Sequence, residues 1–135
     1  MRFRHVTQLN LNGLSNYPSY QTISDVEFQT LFEQRNPTEP FLVVFTADWL
    51  GEGAIMDSIV SKLADHYKDV FHFFRLDVDG APHSARQMSI SRLPALYFFK
   101  NGEIADYCHG MISMKKLGQK VDALLLSGAL VTSSS

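Results

Sequence analysis

An uninterrupted apolar run at residues 41–45, Phe-Leu-Val-Val-Phe, places the strongest constraint on the fold of this chain. A strand that is apolar on both faces must be covered on both faces, as the central strands of α/β sheets are. A helix is predicted after it, over residues 54–67, because apolar side chains recur there at helical spacing. These side chains are Ile55, Met56, Ile59, Leu63 and Tyr67. A further strand is predicted over 70–78, so the helix forms a right-handed crossover between parallel strands.

Local signals predict the remaining elements and make the sheet a mixed one. Ser24 and Glu27 form a capping box at the start of a first helix. Asn101 and Gly102 favour a two-residue hairpin, which adds an antiparallel strand at one edge. Ser113 is the cap predicted for the last helix. The other predicted elements are an edge strand around 20–23, a helix over 24–35, a loop over 36–40, a short helix over 84–88, strands over 95–99 and 103–109, and a last helix ending before residue 127.

The chain is 135 residues long, a normal length for one domain. We expect an irregular N-terminal arm over 1–20 and a folded α/β domain over 21–127, with a mixed central sheet and helices on both faces. The last residues are small and polar, and chain ends of this kind fray. We therefore expect a flexible C-terminal tail over 128–135.

Charge and composition exclude several classes of function. The formal net charge is −2 with no block of like charge, so neither nucleic acid nor an anionic membrane is an expected partner. No apolar run approaches the roughly 20 residues of a membrane span, and no signal-peptide core follows Met1, so we expect a cytoplasmic protein. Cys108 is the only cysteine, which excludes an intramolecular disulfide. No metal or cofactor is expected, because the histidines lack ligand spacing: His5, His66, His72, His83 and His109.

Three short segments resemble the thioredoxin family. The first is Phe-Thr-Ala-Asp-Trp-Leu-Gly at residues 45–51, which is similar to the family's Phe-x-Ala-x-Trp-Cys-Gly. The second is Leu93-Pro94 before an apolar strand, which is similar to the family's Ile-Pro-Thr. The third is Phe-Lys-Asn-Gly-Glu at 99–103, a common hairpin of the family, with a glycine at 110 before the last helix. The resemblance covers about residues 25–126 and implies a thioredoxin fold in which Pro94 follows a cis peptide bond.

The same resemblance implies that the family's dithiol chemistry is absent. Leu50 and Gly53 occupy the positions of the nucleophilic and the resolving cysteine, and Glu52 replaces the proline of the motif. Val44 stands where the family has a buried aspartate that handles protons for the resolving cysteine. Thiol–disulfide exchange requires a thiolate. We therefore predict that this turn has no oxidoreductase activity and that the protein is not an enzyme.

The resemblance favours instead a protein-binding module with a chaperone-like or scaffolding role. In the family, loops beside the motif converge at one end of the sheet, and the backbone at the cis proline pairs with an extended peptide, in the manner of strand addition. We expect a protein or extended peptide to bind the corresponding surface here. The residues predicted for it are Trp49, Leu50, Gly51, Glu52, Gly53, Leu93, Pro94, His109 and Gly110.

Other interpretations are also consistent with the sequence. Trp49 and Leu50 alternatively cap the core locally. Cys108 offers a monothiol function, although its neighbour in the strand points to the opposite face and buried cysteines usually act as small hydrophobes. The apolar residues of the arm over 1–20 either dock on another subunit, as in a homo-oligomer or a larger assembly, or fold back over the Trp49 face. Asp77 and Asp79 are interpreted as solvated carboxylates at a strand end.

Overall fold

The computed structural model describes residues 19–34 and 39–134, and the α/β class predicted from the sequence is confirmed. The predicted arm, apart from its last two residues, and most of the predicted loop over 36–40 lie outside the described residues. In chain order the elements are β1 (Tyr20–Thr22), α1 (Asp25–Gln34), β2 (Phe41–Thr46), α2 (Gly51–Tyr67), β3 (His72–Asp77), a 3₁₀ turn (Val78–Gly80), α3 (Pro82–Gln87), β4 (Ala95–Lys100), β5 (Glu103–His109) and α4 (Met114–Ser134).

The five strands form one mixed sheet with β2 at its centre. The strand order is β1-β3-β2-β4-β5, in which β1, β3 and β2 run parallel and β4 runs antiparallel to β2. The β5 strand is antiparallel to β4 and forms an edge. All six residues of β2 are buried, as the apolar run requires when both faces of a strand are covered.

Each face of the sheet has its own hydrophobic core. Phe28 of α1 lies on one face, where its ring packs edge-on against Phe45 of β2. Met56 and Val60 of α2 lie on the other face with Leu117 of α4. Alternate residues of β2 contribute to the two cores, because successive side chains of a strand point to opposite faces. The sheet is therefore a rigid layer between two helical layers, and the ends of its strands are well placed to carry a site.

The local signals for helix starts and for the hairpin are borne out. The amide of Glu27 donates to Ser24 Oγ at 3.0 Å, and the amide of Ser24 donates to Glu27 Oε1 at 2.8 Å, which completes the capping box. Ser113 Oγ accepts from the third amide of α4 at 3.1 Å. Asn101 and Gly102 both have positive φ, 56° and 79°, as a type I′ hairpin requires.

Several predicted boundaries were wrong. The α2 helix begins at Gly51, three residues earlier than predicted, because the extended backbone of Leu50 already acts as its cap. The β3 strand begins at His72, because the amides of the two preceding residues bond back to the end of α2. Ile55, predicted to face the core, is exposed. The α4 backbone is helical to Ser134, beyond the end before residue 127 that was expected for the last helix.

Removing the cap of α1 tests its contribution to stability. Ser24→Ala is expected to lower the free energy of unfolding by about 1 kcal/mol, because the amide of Glu27 loses its acceptor. Urea denaturation measures the change. Ser58→Ala, at an exposed position inside α2, is the matched control and is expected to change stability by no more than about 0.5 kcal/mol. Equal losses in the two variants would contradict the prediction.

The contact between α2 and α4 predicts a loss of stability at alkaline pH. Tyr67 donates to Asp122 at 2.5 Å, and burial together with this hydrogen bond raises the pKa of Tyr67 to about 12. The folded state therefore holds a proton that the unfolded state releases near its ordinary pKa of about 10. The free energy of unfolding is expected to fall as the pH rises through this interval.

A substitution is needed to separate the effect of Tyr67 from that of other tyrosines. Burial also raises the pKa of Tyr20 and of Tyr97, so they add to the decline in the same direction. Urea denaturation of Tyr67→Phe at several alkaline pH values is expected to show a shallower decline than that of the wild type. A decline of the same slope in both proteins would refute the assignment to Tyr67.

Candidate functional site

The predicted site residues are brought to one end of the sheet by strand register. Phe45 of β2 pairs with Ala95 of β4, and Ala95 pairs in turn with His109 of β5. On the other side of β2, Thr46 pairs with Asp77 of β3. The turn after β2, the segment before β4 and the segments after β3 and β5 therefore meet along one row. All nine predicted residues lie in or beside these segments.

The turn after β2 presents an indole to solvent and holds it by a hydrogen bond. Trp49 is 67% exposed, and its Nε1 donates to Asp79 Oδ2 at 2.7 Å. Asp79 follows β3 and is therefore a partner of the turn, which corrects its interpretation as a merely solvated carboxylate. This contact carries no local sequence signal, because the two residues are thirty apart and become neighbours only through the β2–β3 register.

The first turn of α2 continues this surface. Leu50 is half-buried, and its carbonyl accepts from the amide of Gly53 at 3.0 Å. Gly51 and Glu52 are exposed. An apolar side chain and a carboxylate therefore stand at the helix start, where the family carries its first cysteine and its proline.

Gly53 is buried, and a neighbouring hydroxyl fills the space that a side chain would need. A Cβ built on Gly53 would lie 2.4 Å from Thr46 Oγ1, a distance that real Cβ atoms do not show. Thr46 is fully buried, and its Oγ1 has no hydrogen-bond partner among the described residues. Any residue larger than glycine at this position, cysteine included, requires Thr46 to move.

A half-buried guanidinium supports the turn from below. Arg75 of β3 donates from Nη2 to Asp48 Oδ1 at 2.8 Å and from Nε to Asp57 Oδ2 at 3.0 Å. Tyr20 of β1 donates to the other oxygen of Asp57 at 2.8 Å. The hydrogen bond and charge of Arg75 lower the pKa of Asp48, the residue before the indole. Sequence analysis missed this network, although a lone cation in an apolar strand was a signal that it needs an acidic partner.

Arg75 also lies beside the position of the family's buried acid. It pairs in register with Val44, so the two side chains share one face of the sheet. Val44 is fully buried in the core beneath α2 and offers no charge to the guanidinium. The carboxylates come instead from α2 and from the turn, and they tie these two segments to β3.

The segment before β4 carries a peptide edge at the same end of the sheet as the turn. The Leu93–Pro94 peptide bond is cis, and the carbonyl of Pro94 accepts from the amide of Gly110 at 2.7 Å. Gly110 has φ +87°, and a Cβ there would meet the Arg92 guanidinium at 3.0 Å, so this position requires glycine. Leu93 is half-buried, and its peptide N–H and C=O make no hydrogen bond within the described ranges.

Cys108 and His109, the last two residues of β5, point to opposite faces of the sheet. His109 is exposed and shares a hydrogen bond with Tyr97 Oη at 3.1 Å. Cys108 points to the opposite face, where it is half-buried against the core beneath α2 and α4. Burial raises the pKa of the Cys108 thiol, which disfavours the reactive thiolate. The charge of Lys120 acts in the opposite direction, but the effect of burial is larger and the pKa of the thiol stays raised.

The described residues contain no group of three or more histidine, cysteine, aspartate or glutamate side chains arranged to hold a metal ion. Within the same ranges, no helix combines the length and the apolar character needed to cross a bilayer.

The contact between Thr46 and Gly53 predicts a strong dependence of one substitution on the other. Gly53→Ala is expected to lower the free energy of unfolding by about 1–3 kcal/mol, because the new methyl group meets Thr46 Oγ1. In a Thr46→Ala background the same substitution is expected to cost much less. Urea denaturation of the four proteins of this cycle measures the coupling.

The control for this cycle is Gly51→Ala. A Cβ at Gly51 would meet no atom within 4 Å, so this substitution is expected to be close to neutral. If Gly53→Ala lowers the free energy of unfolding equally in the wild-type and the Thr46→Ala background, the contact with the Thr46 hydroxyl is not what disfavours a side chain at position 53.

Comparisons with known proteins agree with this geometry. Residues 19–123 match the family described as Thioredoxin. The chain is similar to the thioredoxin-like protein slr1139 of Synechocystis sp., with 35% identity over 95 residues, which covers 70% of this chain and 85% of that protein. It is also similar to chloroplastic Thioredoxin M4 of Arabidopsis thaliana, with 30% identity over 104 residues, 77% of this chain and 53% of that protein.

A third relative is the chloroplastic M-type thioredoxin of Pisum sativum, with 34% identity over 83 residues, 62% of this chain and 48% of that protein. The chain thus spans about half the length of the two plant proteins. The family match extends over most of the described residues and includes the turn after β2, the cis-proline segment and the hairpin. The chain belongs to the thioredoxin family.

Proposed function

We propose that this protein binds a protein partner, or an extended peptide segment of one, through the surface around Trp49, and that it does so without thiol–disulfide chemistry. The role is chaperone-like or scaffolding, it is not enzymatic, it uses no cofactor, and it is carried out in the cytoplasm. The turn after β2 contains no thiol, and the exchange reaction has no nucleophile without a thiolate.

The observation that carries the proposal is that an exposed indole and a peptide edge without hydrogen-bond partners among the described residues lie at the same end of the sheet. The hydrogen bond to Asp79 restrains the Trp49 side chain, so little side-chain conformational entropy remains to be lost on binding. The Leu93 peptide group has no hydrogen-bond partner in the described part of the chain, so it is free to add a strand. Apolar contact with the indole and main-chain hydrogen bonds at Leu93 together suit an extended segment.

The alternative in which Trp49 only caps the core is less well supported. A capping side chain would be mostly covered, whereas two-thirds of Trp49 is exposed and its polar atom is fixed by a carboxylate. Large aromatic side chains in such positions often dominate the energy of protein interfaces. A monothiol role for Cys108 gains no support, because burial raises the pKa of its thiol.

The first test of the proposal is affinity capture from the native cell lysate, comparing the wild type with Trp49→Ala/Leu50→Ala. The double substitution is expected to weaken capture of the partner by at least about 30-fold, because it removes the two apolar contacts of the surface. Circular dichroism is expected to show an unchanged fold.

The matched control is Val70→Ala/Ile104→Ala. These two residues are 47% and 46% exposed and lie at the opposite end of the sheet, so this variant is expected to capture the partner as well as the wild type does. A partner retained equally by all three proteins would move the binding surface away from Trp49 and would refute the proposal.

A second test concerns the chemistry. The protein is expected to leave the rate of insulin disulfide reduction by dithiothreitol at the level of the protein-free reaction. A thioredoxin with an intact dithiol serves as the positive control. Catalysis by the wild type that is lost in Cys108→Ser would instead establish the monothiol role.

A further inference from the structure

A groove extends from the Trp49 surface toward α3. It has a volume of about 640 Å³ and is lined by apolar side chains that follow β3, belong to α3 or precede β4. The apolar lining consists of Val78, Pro82, Ala85, Ile90 and Leu93. A volume of this size accommodates a few side chains of a bound segment. Because Leu93 belongs both to this groove and to the unpaired peptide edge, a segment that pairs with Leu93 directs side chains into the groove.

Two arginines at the groove form no ion pair with any described residue. Arg86 lines it, and Arg92 lies next to Leu93 with its guanidinium against Gly110. None of the lining residues is acidic. Within the ranges that the structure describes, no carboxylate lies at ion-pair distance from either arginine, whereas Arg75 has two.

The arginines contrast with acidic residues at the same end of the sheet. Asp48 belongs to the turn after β2, Glu52 to the first turn of α2, Asp77 to the end of β3 and Asp79 to the 3₁₀ turn. The net charge of the chain is also negative. Two arginines without a carboxylate partner among the described residues therefore provide positive charge beside the apolar groove. Such an arrangement attracts anionic groups and repels cationic ones, which affects the choice of partner more than the strength of binding.

We propose that this groove binds an acidic, apolar-containing extended segment of the partner protein. Apolar side chains of the segment enter the groove, and its carboxylates pair with Arg86 and Arg92. Alternate residues of an extended segment face the same side, so an acidic and an apolar residue two positions apart reach the rim and the floor together. The proposal rests on the proposed function, since it identifies the kind of segment that the Trp49 surface recognises.

The test is selection from a phage-displayed library of random peptides, performed with the full chain and three variants. The wild type is expected to select peptides enriched in Asp and Glu beside apolar residues. Arg86→Glu/Arg92→Glu reverses the charge of the groove and is expected to lose this enrichment. Lys62→Glu, at an exposed position of α2, changes the charge elsewhere and is expected to select as the wild type does. Trp49→Ala/Leu50→Ala is expected to select no peptide above background.

A synthetic peptide from the selection then gives the affinities by fluorescence anisotropy. Arg86→Glu/Arg92→Glu is expected to weaken binding of the acidic peptide by about tenfold or more, and Lys62→Glu by less than about twofold. A control peptide in which Asn and Gln replace Asp and Glu is expected to bind the wild type and Arg86→Glu/Arg92→Glu with similar affinity. A higher salt concentration is expected to lower the affinity of the wild type for the acidic peptide but not for the control peptide, since salt screens charges near the surface.

The outcomes separate this inference from the function on which it rests. If the wild type selects peptides without acidic residues and Trp49→Ala/Leu50→Ala selects none, the proposed function stands and the role of the arginines is overturned. Equal binding of the acidic peptide by the arginine and lysine variants would likewise overturn it. Selection of no peptide by the wild type would overturn both proposals.

Discussion

The hydrogen-bonded register of β2 with its two neighbours is the constraint on which the rest of the structure depends. Phe45 faces Ala95 on one side, and Thr46 faces Asp77 on the other. A shift of one residue would turn each β2 side chain toward the wrong core, because the side-chain period of a strand is two. The two cores thus hold the register, and the register holds Trp49, Asp79 and Leu93 at one end of the sheet.

The charge distribution around the site follows from the same arrangement. Arg75 and Val44 are neighbours across two strands, so a cation lies at the edge of an apolar core. A cation in such a place needs anionic partners, and it finds them in α2 and in the turn after β2. The turn is consequently attached at two points, by Asp48 to Arg75 of β3 and by Trp49 to Asp79 of the 3₁₀ turn that follows β3. These two hydrogen bonds fix the turn that carries the exposed indole.

Most of the fold and part of the site were predictable from the sequence. The apolar run of β2, the Ser24 capping box and the Asn101-Gly102 hairpin each carry a local signal, and each is found where it was predicted. The bonds of Arg75 and of Trp49 were not predictable in this way, because their partners are distant in sequence and depend on register. The groove beside α3 was missed for the same reason, since its walls come from segments that show no common pattern.

The hydroxyl beside Gly53 restricts how this chain can change. A residue with a side chain at position 53 is strained while Thr46 keeps its present rotamer, so a thiol there requires the Thr46 hydroxyl to rotate away or to be removed. A substitution at Thr46 alone brings no new chemistry, and a cysteine in place of Leu50 alone gives a single thiol without a partner. A return to dithiol chemistry therefore requires two new cysteines and an adjustment at Thr46, and no single substitution supplies all three.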